Sequence, residues 1–244
     1  MLKRDKYLDQ LIEVKDLNLI KVITGVRRCG KSTLLLQYRD YLLENGVKEP
    51  DVLYMSFESA EWYEIKDYKD LYNYIKSKYH DKKIYLLLDE VQNVEDWEKA
   101  VNSLLVDINC DIYITGSNAY LLSSELTTLL AGRVYTINMY PFSFSEYLQI
   151  NNNTNSQDKY QLFNDYLKYG GMPMLINMKD NERLKTNYLA DIKDVVLKKD
   201  IIARNKIKDV VFLDNLLRYM STVIGTLINP SFISDFMKKN GSNI

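Results

Sequence analysis

Gly25-Val26-Arg27-Arg28-Cys29-Gly30-Lys31-Ser32 fits G-x-x-x-x-G-K-[ST] at every fixed position. That spacing suits a bound phosphate. Glycines let the backbone wrap an anion, and successive N–H groups then point inward as a nest. A helix that begins at the anion adds its positive end. In this layout Gly25, Arg27, Arg28, Cys29, Gly30, Lys31, Ser32 and Thr33 surround the phosphates of a nucleotide. Lys31 reaches the β- and γ-phosphates, and the Ser32 hydroxyl ligates Mg²⁺. Further on, Leu86-Leu87-Leu88-Asp89-Glu90 is an apolar run that ends in two carboxylates. Asp89 suits a role in holding the metal, and Glu90 suits orienting and polarising the attacking water. A small-molecule kinase must exclude water, so the pair favours hydrolysis of ATP. No acceptor-binding signature is evident.

Three further positions can serve the same chemistry. The run Thr115-Gly116-Ser117-Asn118 ends another apolar stretch. Ser117 or Asn118 can sense a γ-phosphate or hold the water, and the residue types do not choose between them. Either also makes a good helix N-cap. Arg133 can stabilise transition-state charge in its own subunit or in a neighbour. Arg27 and Arg28 either add charge near the phosphates, contact a partner, or are simply solvated. Cys29 is either a small filler or an oxidation-sensitive thiol beside the nucleotide.

The elements that must position these residues read as alternating strands and helices. Strands are expected at residues 19–24, 52–57, 84–88, 111–115 and 134–139. Helices are expected at 31–45, 67–79, 97–108 and 118–130, from apolar residues recurring at three and four. The 84–88 run is apolar without alternation, as in a central parallel strand buried on both faces. Strands separated by helix-length segments imply a parallel sheet flanked by helices, with ligands at the edge where the strand C-termini meet. Asn151-Asn152-Asn153-Thr154-Asn155-Ser156 breaks the pattern as a loop or linker. Helices are expected beyond it at 160–169, 182–203 and 210–224, with Gly170-Gly171-Met172-Pro173 interrupting the first two.

The chain has 244 residues, 46% apolar and 27% charged, enough for a proper core. With 32 basic and 33 acidic residues the net charge is −1, which offers no argument for a strong nucleic-acid binder. Cys29 and Cys110 form neither a disulfide framework nor a metal-ligand pair, and His80 lies in a polar run, so a zinc site is not expected. The N-terminal residues do not resemble a signal peptide, and the apolar runs are too short to span a bilayer. A cytoplasmic protein without a membrane partner is expected.

Taken in order, six stretches resemble the AAA+ ATPases, and within them a bacterial and archaeal group related to the STAND NTPases. They are residues 23–32 (Walker A), Leu88-Asp89-Glu90-Val91-Gln92 (Walker B) and Thr115-Gly116-Ser117-Asn118-Ala119. Leu130-Ala131-Gly132-Arg133, Pro141-Phe142-Ser143-Phe144-Ser145-Glu146-Tyr147 and Gly170-Gly171-Met172-Pro173 follow. The resemblance implies an α/β fold, a P-loop NTPase core with a five-stranded parallel sheet over residues 1–150. It further implies a helical lid over 158–205, the start of a winged helix over 206–244, and Pro173 packed near the base of ATP. Members usually continue through a winged helix into a nuclease-like domain. Here the residues past 206 supply only its first two helices, so a truncated chain is expected.

The resulting expectation is an ATPase using ATP and Mg²⁺ and passing nucleotide state to a C-terminal module, alone, as a homo-oligomer or with a protein partner. Two alternatives stand beside it: a nucleotide-switched interaction module with little turnover, and a DNA-associated ATPase acting through the incomplete winged helix. A GTPase is disfavoured. Asn205-Lys206-Ile207-Lys208-Asp209 has one residue too many for the guanine-reading motif and follows a helical segment.

Overall fold

The structure is a computed structural model that describes residues 2–116, 130, 132–152, 159–178, 181–202, 207 and 209–239. It divides into two compact units, residues 1–192 and 193–244.

The first unit is built on five strands: β1 (Ile20–Gly25), β2 (Val52–Ser56), β3 (Ile84–Asp89), β4 (Cys110–Thr115) and β5 (Val134–Met139). All pairings are parallel, in the order β2-β3-β4-β1-β5. The register aligns Gly25 with Met139, Ile23 with Thr115, and Ser56 with Asp89. The strand C-termini therefore end together along one edge, as a parallel sheet requires.

Side chains alternate across each strand, and both faces are apolar because both are covered. On one face Ile20, Val22, Leu86, Leu88, Ile112 and Ile114 pack with α3 (Tyr68–Lys78) and α4 (Trp97–Asp107). On the other, Ile23, Leu87, Tyr113 and Ile137 pack with α1 (Asp5–Glu13) and α2 (Lys31–Glu44). Helix α2 begins as its residue pattern predicts, and Leu34, Leu35, Tyr38 and Leu42 form its buried stripe. Helix α3 starts where Asp67 accepts hydrogen bonds from the amides of Lys69 and Asp70, so Asp67 is its cap rather than its first residue.

At the far, N-terminal edge of the strands, the fully buried Lys21 pairs with Asp111. Asp111 also accepts from Tyr113 Oη at 2.9 Å and from the amide of Asp16 at 2.8 Å. A buried pair satisfied this completely is a structural element of the core.

Helix α1 is not anticipated from the sequence, although Tyr7, Leu8 and Leu11 recur at helical spacing and are buried. It delivers Arg4, which is 5% exposed, to the rear of the loop between β1 and α2. The Arg4 guanidinium holds Glu146 bidentately, Nε to Oε1 at 2.7 Å and Nη2 to Oε2 at 2.9 Å. Its Nη1 donates to the carbonyls of Tyr140 at 2.7 Å and Cys29 at 3.4 Å. Glu146 lies in α5 (Phe144–Asn152), which opens with a capping box: Ser143 Oγ accepts the Glu146 amide, and Glu146 Oε2 accepts the Ser143 amide.

Helix α6 (Lys159–Tyr169), a 3₁₀ turn (Pro173–Met178) and α7 (Glu182–Val195) follow. The Phe142 amide donates to Gly171 O at 2.8 Å, and Tyr166 Oη donates to Phe142 O at 2.8 Å. A Cβ on Gly171 would lie 2.0 Å from Phe142 O, so only glycine permits this approach. These bonds and the Phe144–Phe163 and Tyr147–Tyr166 ring contacts join residues 159–178 to the sheet unit. The division between the two compact units falls at 192/193. Helix α7 passes at Val196 into a π-helical segment, Val196–Ile202, instead of continuing as one α-helix to residue 203. The expected helix at 118–130 lies outside the described residues.

The second unit contains α8 (Val210–Thr222) and α9 (Pro230–Lys239). Asp209 caps α8 by accepting the Phe212 amide at 2.8 Å. Tyr219 and Phe236 pack at 4.4 Å between ring centroids. Among the described residues no helix is long and apolar enough to cross a membrane.

The Arg4–Glu146 clamp has a pH signature. Burial alone would raise the Glu146 carboxyl, but Arg4 and Ser143 hold it below the ordinary value of 4.5. A carboxyl depressed in the folded state contributes stability that is complete above its unfolded value and is lost as pH falls through its folded value. Replacing Arg4 by Met is expected to cost about 2 kcal/mol at pH 7. The gap to the parent protein should narrow as pH falls below 4.5, in urea unfolding at a series of pH values. A gap constant down to pH 3 would place the contribution of Arg4 elsewhere.

Candidate functional site

The loop between β1 and α2 turns tightly against β5. A Cβ at Gly25 would stand 2.3 Å from Met139 O and 2.8 Å from Cys29 Sγ, so the position admits glycine alone. Arg28 and Gly30 have positive φ, 64° and 105°. Left-handed residues within a turn gather backbone amides into an anion-binding concavity, here at the head of α2, whose first N–H groups have no partner within the helix. Thr33 lies in that first turn.

Lys31 is 4% exposed, and its ammonium lies inside the loop. It donates to Gly25 O at 3.2 Å and Val26 O at 3.4 Å, and lies 3.6 Å from Glu90 Oε1. One residue on, Ser32 Oγ donates to Asp89 Oδ1 at 2.9 Å. The loop at the end of β1 and the acidic pair at the end of β3 thus meet, although β4 stands between their strands.

Asp89 is 2% exposed and receives four hydroxyls. Ser32 and Thr115 (2.6 Å) serve Oδ1; Ser56 (3.2 Å) and Tyr54 (3.3 Å) serve Oδ2. Burial pushes the Tyr54 phenol up to about 12, and the Asp89 charge adds to the shift, so Tyr54 stays a donor. Glu90 adopts a left-handed backbone with φ 53°, a conformation that costs a residue with a side chain about 1–2 kcal/mol. Its amide donates to Thr115 Oγ1 at 3.0 Å, and its Oε2 accepts from Gln92 Nε2. Strain retained at a buried carboxylate beside a cationic loop marks a candidate functional position.

The remaining sequence candidates distribute as follows. Arg28 is exposed, with its guanidinium 5.8 Å from the centroid of Tyr188. Arg27 is half-buried. Cys29 points down into the core with Leu34 and Leu35. Burial raises its thiol, which fits the filler reading and disfavours the reactive one. Pro173 opens the turn behind Gly171; that turn reaches the loop through Phe142 and Arg4, whose guanidinium stacks 5.0 Å from the Phe142 centroid. Ser117 and Asn118 lie outside the described residues. Arg133 is not brought to its own loop: it is exposed, and its carbonyl accepts the Ile20 amide at the opposite end of β1. The length of β5 separates that end from the loop, about 17 Å at 3.3 Å per residue.

Sequence reasoning missed Thr115, Ser56, Tyr54, Gln92 and Arg4. The first three converge only because β2 and β4 flank β3. For Gln92 and Arg4 no residue pattern announces the partner.

The donor set suits a nucleotide with magnesium. Hydroxyl and carboxylate oxygens are the hard ligands Mg²⁺ prefers, and it usually takes one or two from protein and the rest from phosphate and water. Among the described residues no three His, Cys, Asp or Glu side chains cluster into an all-protein cage.

Comparison with known proteins agrees with this fold. An uncharacterized protein of Haemophilus influenzae is 47% identical over 239 residues, covering 96% of this chain and 59% of that protein. One from Methanocaldococcus jannaschii is 30% identical over 254 residues, covering 99% of this chain and 55% of that protein. The chain therefore spans little more than half the length of these relatives. Among solved structures, AMPPCP-bound DnaA from Aquifex aeolicus matches with TM-score 0.51 at 16% identity, covering 96% of this chain and 74% of that one. The RuvB Holliday junction branch migration motor of Thermotoga maritima matches with TM-score 0.50 at 14% identity, covering 98% and 81%. Both show a shared fold. The AAA domain family matches residues 17–148, more than half the chain, so this protein belongs to the AAA family and has the AAA+ P-loop ATPase fold.

Proposed function

We propose that this chain binds ATP with Mg²⁺ in the loop of residues 25–32 and hydrolyses it to ADP and phosphate. The observation that carries the reading is the 2.9 Å contact of Ser32 Oγ with Asp89, beside the Lys31–Glu90 pair at 3.6 Å. It supports the reading because it joins the loop, a hydroxyl–carboxylate oxygen pair and a second carboxylate.

In this reading the loop amides and the head of α2 donate to the phosphates. Lys31 exchanges the carbonyls of Gly25 and Val26 for phosphate oxygens, which also frees Glu90 Oε1. Ser32 and Asp89 would hold the magnesium, which would supply positive charge to offset that of the phosphates. Glu90 accepts a proton as water attacks the γ-phosphorus and the bond to the bridging oxygen breaks. The Gly171–Phe142–Arg4 connection behind the loop is a route by which nucleotide state reaches the residues that follow. Arg133, exposed at the far edge of the sheet, is directed to a neighbouring subunit's site.

Isothermal titration with ATP–Mg²⁺ tests the binding step. Lys31→Ala should weaken binding by at least about 100-fold, a loss of roughly 2.7 kcal/mol, and equal tight binding by variant and parent contradicts the reading. Glu90→Gln should keep binding and lose turnover by about 100-fold or more; unchanged turnover removes Glu90 from the mechanism. For Arg133, mixing Arg133→Ala with Lys31→Ala protein should restore part of the turnover that each alone lacks. No recovery on mixing, with Arg133→Ala itself inactive, would return the arginine to its own subunit.

A further inference from the structure

We propose that Gln92 is a positioning residue for Glu90, holding its carboxylate at the angle from which it takes the proton of water. This inference rests on the hydrolysis reading above and adds a residue to it. The Glu90 carboxylate is held from two sides, by Lys31 near Oε1 and by Gln92 Nε2 on Oε2. The two holds differ in what a nucleotide does to them. Lys31 is the group phosphates draw away, so the Oε1 contact is lost at the moment catalysis needs the carboxylate fixed. The Gln92 contact involves no group that binds phosphate and persists through the exchange.

The local backbone supports this assignment. Glu90 is left-handed, its amide is tied to Thr115 Oγ1, and residues Val91–Asn93 form a 3₁₀ turn directly after it. That turn returns the Gln92 side chain to the carboxylate two residues back. Val91 and Val94 are both buried in the core against α4, which fixes the turn that carries Gln92. The Gln92 amide therefore stands on a rigid element, whereas the Glu90 carboxylate, beyond two rotatable methylenes, would otherwise turn freely once Lys31 departs. Among the described residues the buried Gln92 Oε1 has no hydrogen-bond partner. The contact with Glu90 is then the bond that orients this amide, at the expense of an unpaired oxygen. Holding a catalytic group in a near-attack geometry carries a large part of the barrier reduction, and a misplacement of about 1 Å costs on the order of 100-fold in rate.

The test uses the full chain and separates binding from chemistry. Gln92→Met keeps the length and shape of the side chain and removes its donors; Gln92→Asn keeps the amide but falls short of the carboxylate. Both are expected to lower kcat about 10- to 100-fold, with the Kd for ATP–Mg²⁺, measured by titration, within about twofold of the parent. Because Gln92 acts through Glu90, adding Gln92→Met to Glu90→Gln should cause no further loss, the non-additivity of coupled residues. Parental kcat in both Gln92 variants, or losses that multiply in the double variant, overturns the inference. Retained turnover in Glu90→Gln removes Glu90 from the mechanism and this inference with it, whereas no turnover in the parent protein overturns the underlying hydrolysis reading, so the two failures are distinct.

Discussion

The site depends on one contact, the Ser32 hydroxyl on the Asp89 carboxylate. It is made between chain segments that share no strand pairing: Ser32 follows β1, Asp89 ends β3, and β4 runs between them. Only a parallel sheet whose strands stop in register can bring the two together, and the pairings Ser56–Asp89, Ile23–Thr115 and Gly25–Met139 provide that register. A slip of one residue in β3 would turn Asp89 to the opposite face. The continuous apolar runs of β1 and β3, buried against helices on both sides, hold the register with a large stake in buried area.

Charge is arranged around that contact with a consistent logic. Asp89 is buried among hydroxyls, which satisfy its oxygens. Glu90 is paired with the loop lysine, a cation that a phosphate would claim. Behind the loop, Arg4 joins the Cys29 carbonyl to Glu146 and to the strand exit at Tyr140. The loop is therefore braced from the front by acid residues and from the rear by a base. The opposite edge carries the Lys21–Asp111 pair, buried and saturated.

Much of this was legible in the sequence where physics is local. The strand–loop–helix around residues 25–32 announces itself through glycine placement and the Leu34, Leu35, Tyr38, Leu42 stripe. Asp89 and Glu90 stand out because the apolar run they end comes together with the glycine-framed loop upstream. The capping box Ser143-x-x-Glu146 was equally readable and signals α5, which the strand-centred reading passed over. What escaped is what depends on neighbours. Thr115, Ser56 and Tyr54 meet Asp89 only through the strand order. Arg4 and Glu146 are 142 positions apart. The aromatic contacts and the Gly171–Phe142 bond that bind the helices after α5 to the sheet escaped for the same reason.

The most direct measurement is electron paramagnetic resonance of Mn²⁺, used in place of Mg²⁺, titrated with the protein and a non-hydrolysable ATP analogue, comparing the parent chain with Asp89→Asn. Loss of the carboxylate should weaken Mn²⁺ in the ternary complex by about 10-fold or more, while metal-free nucleotide still binds. Equal Mn²⁺ affinity in the two proteins would contradict a metal seated between the loop and the end of β3.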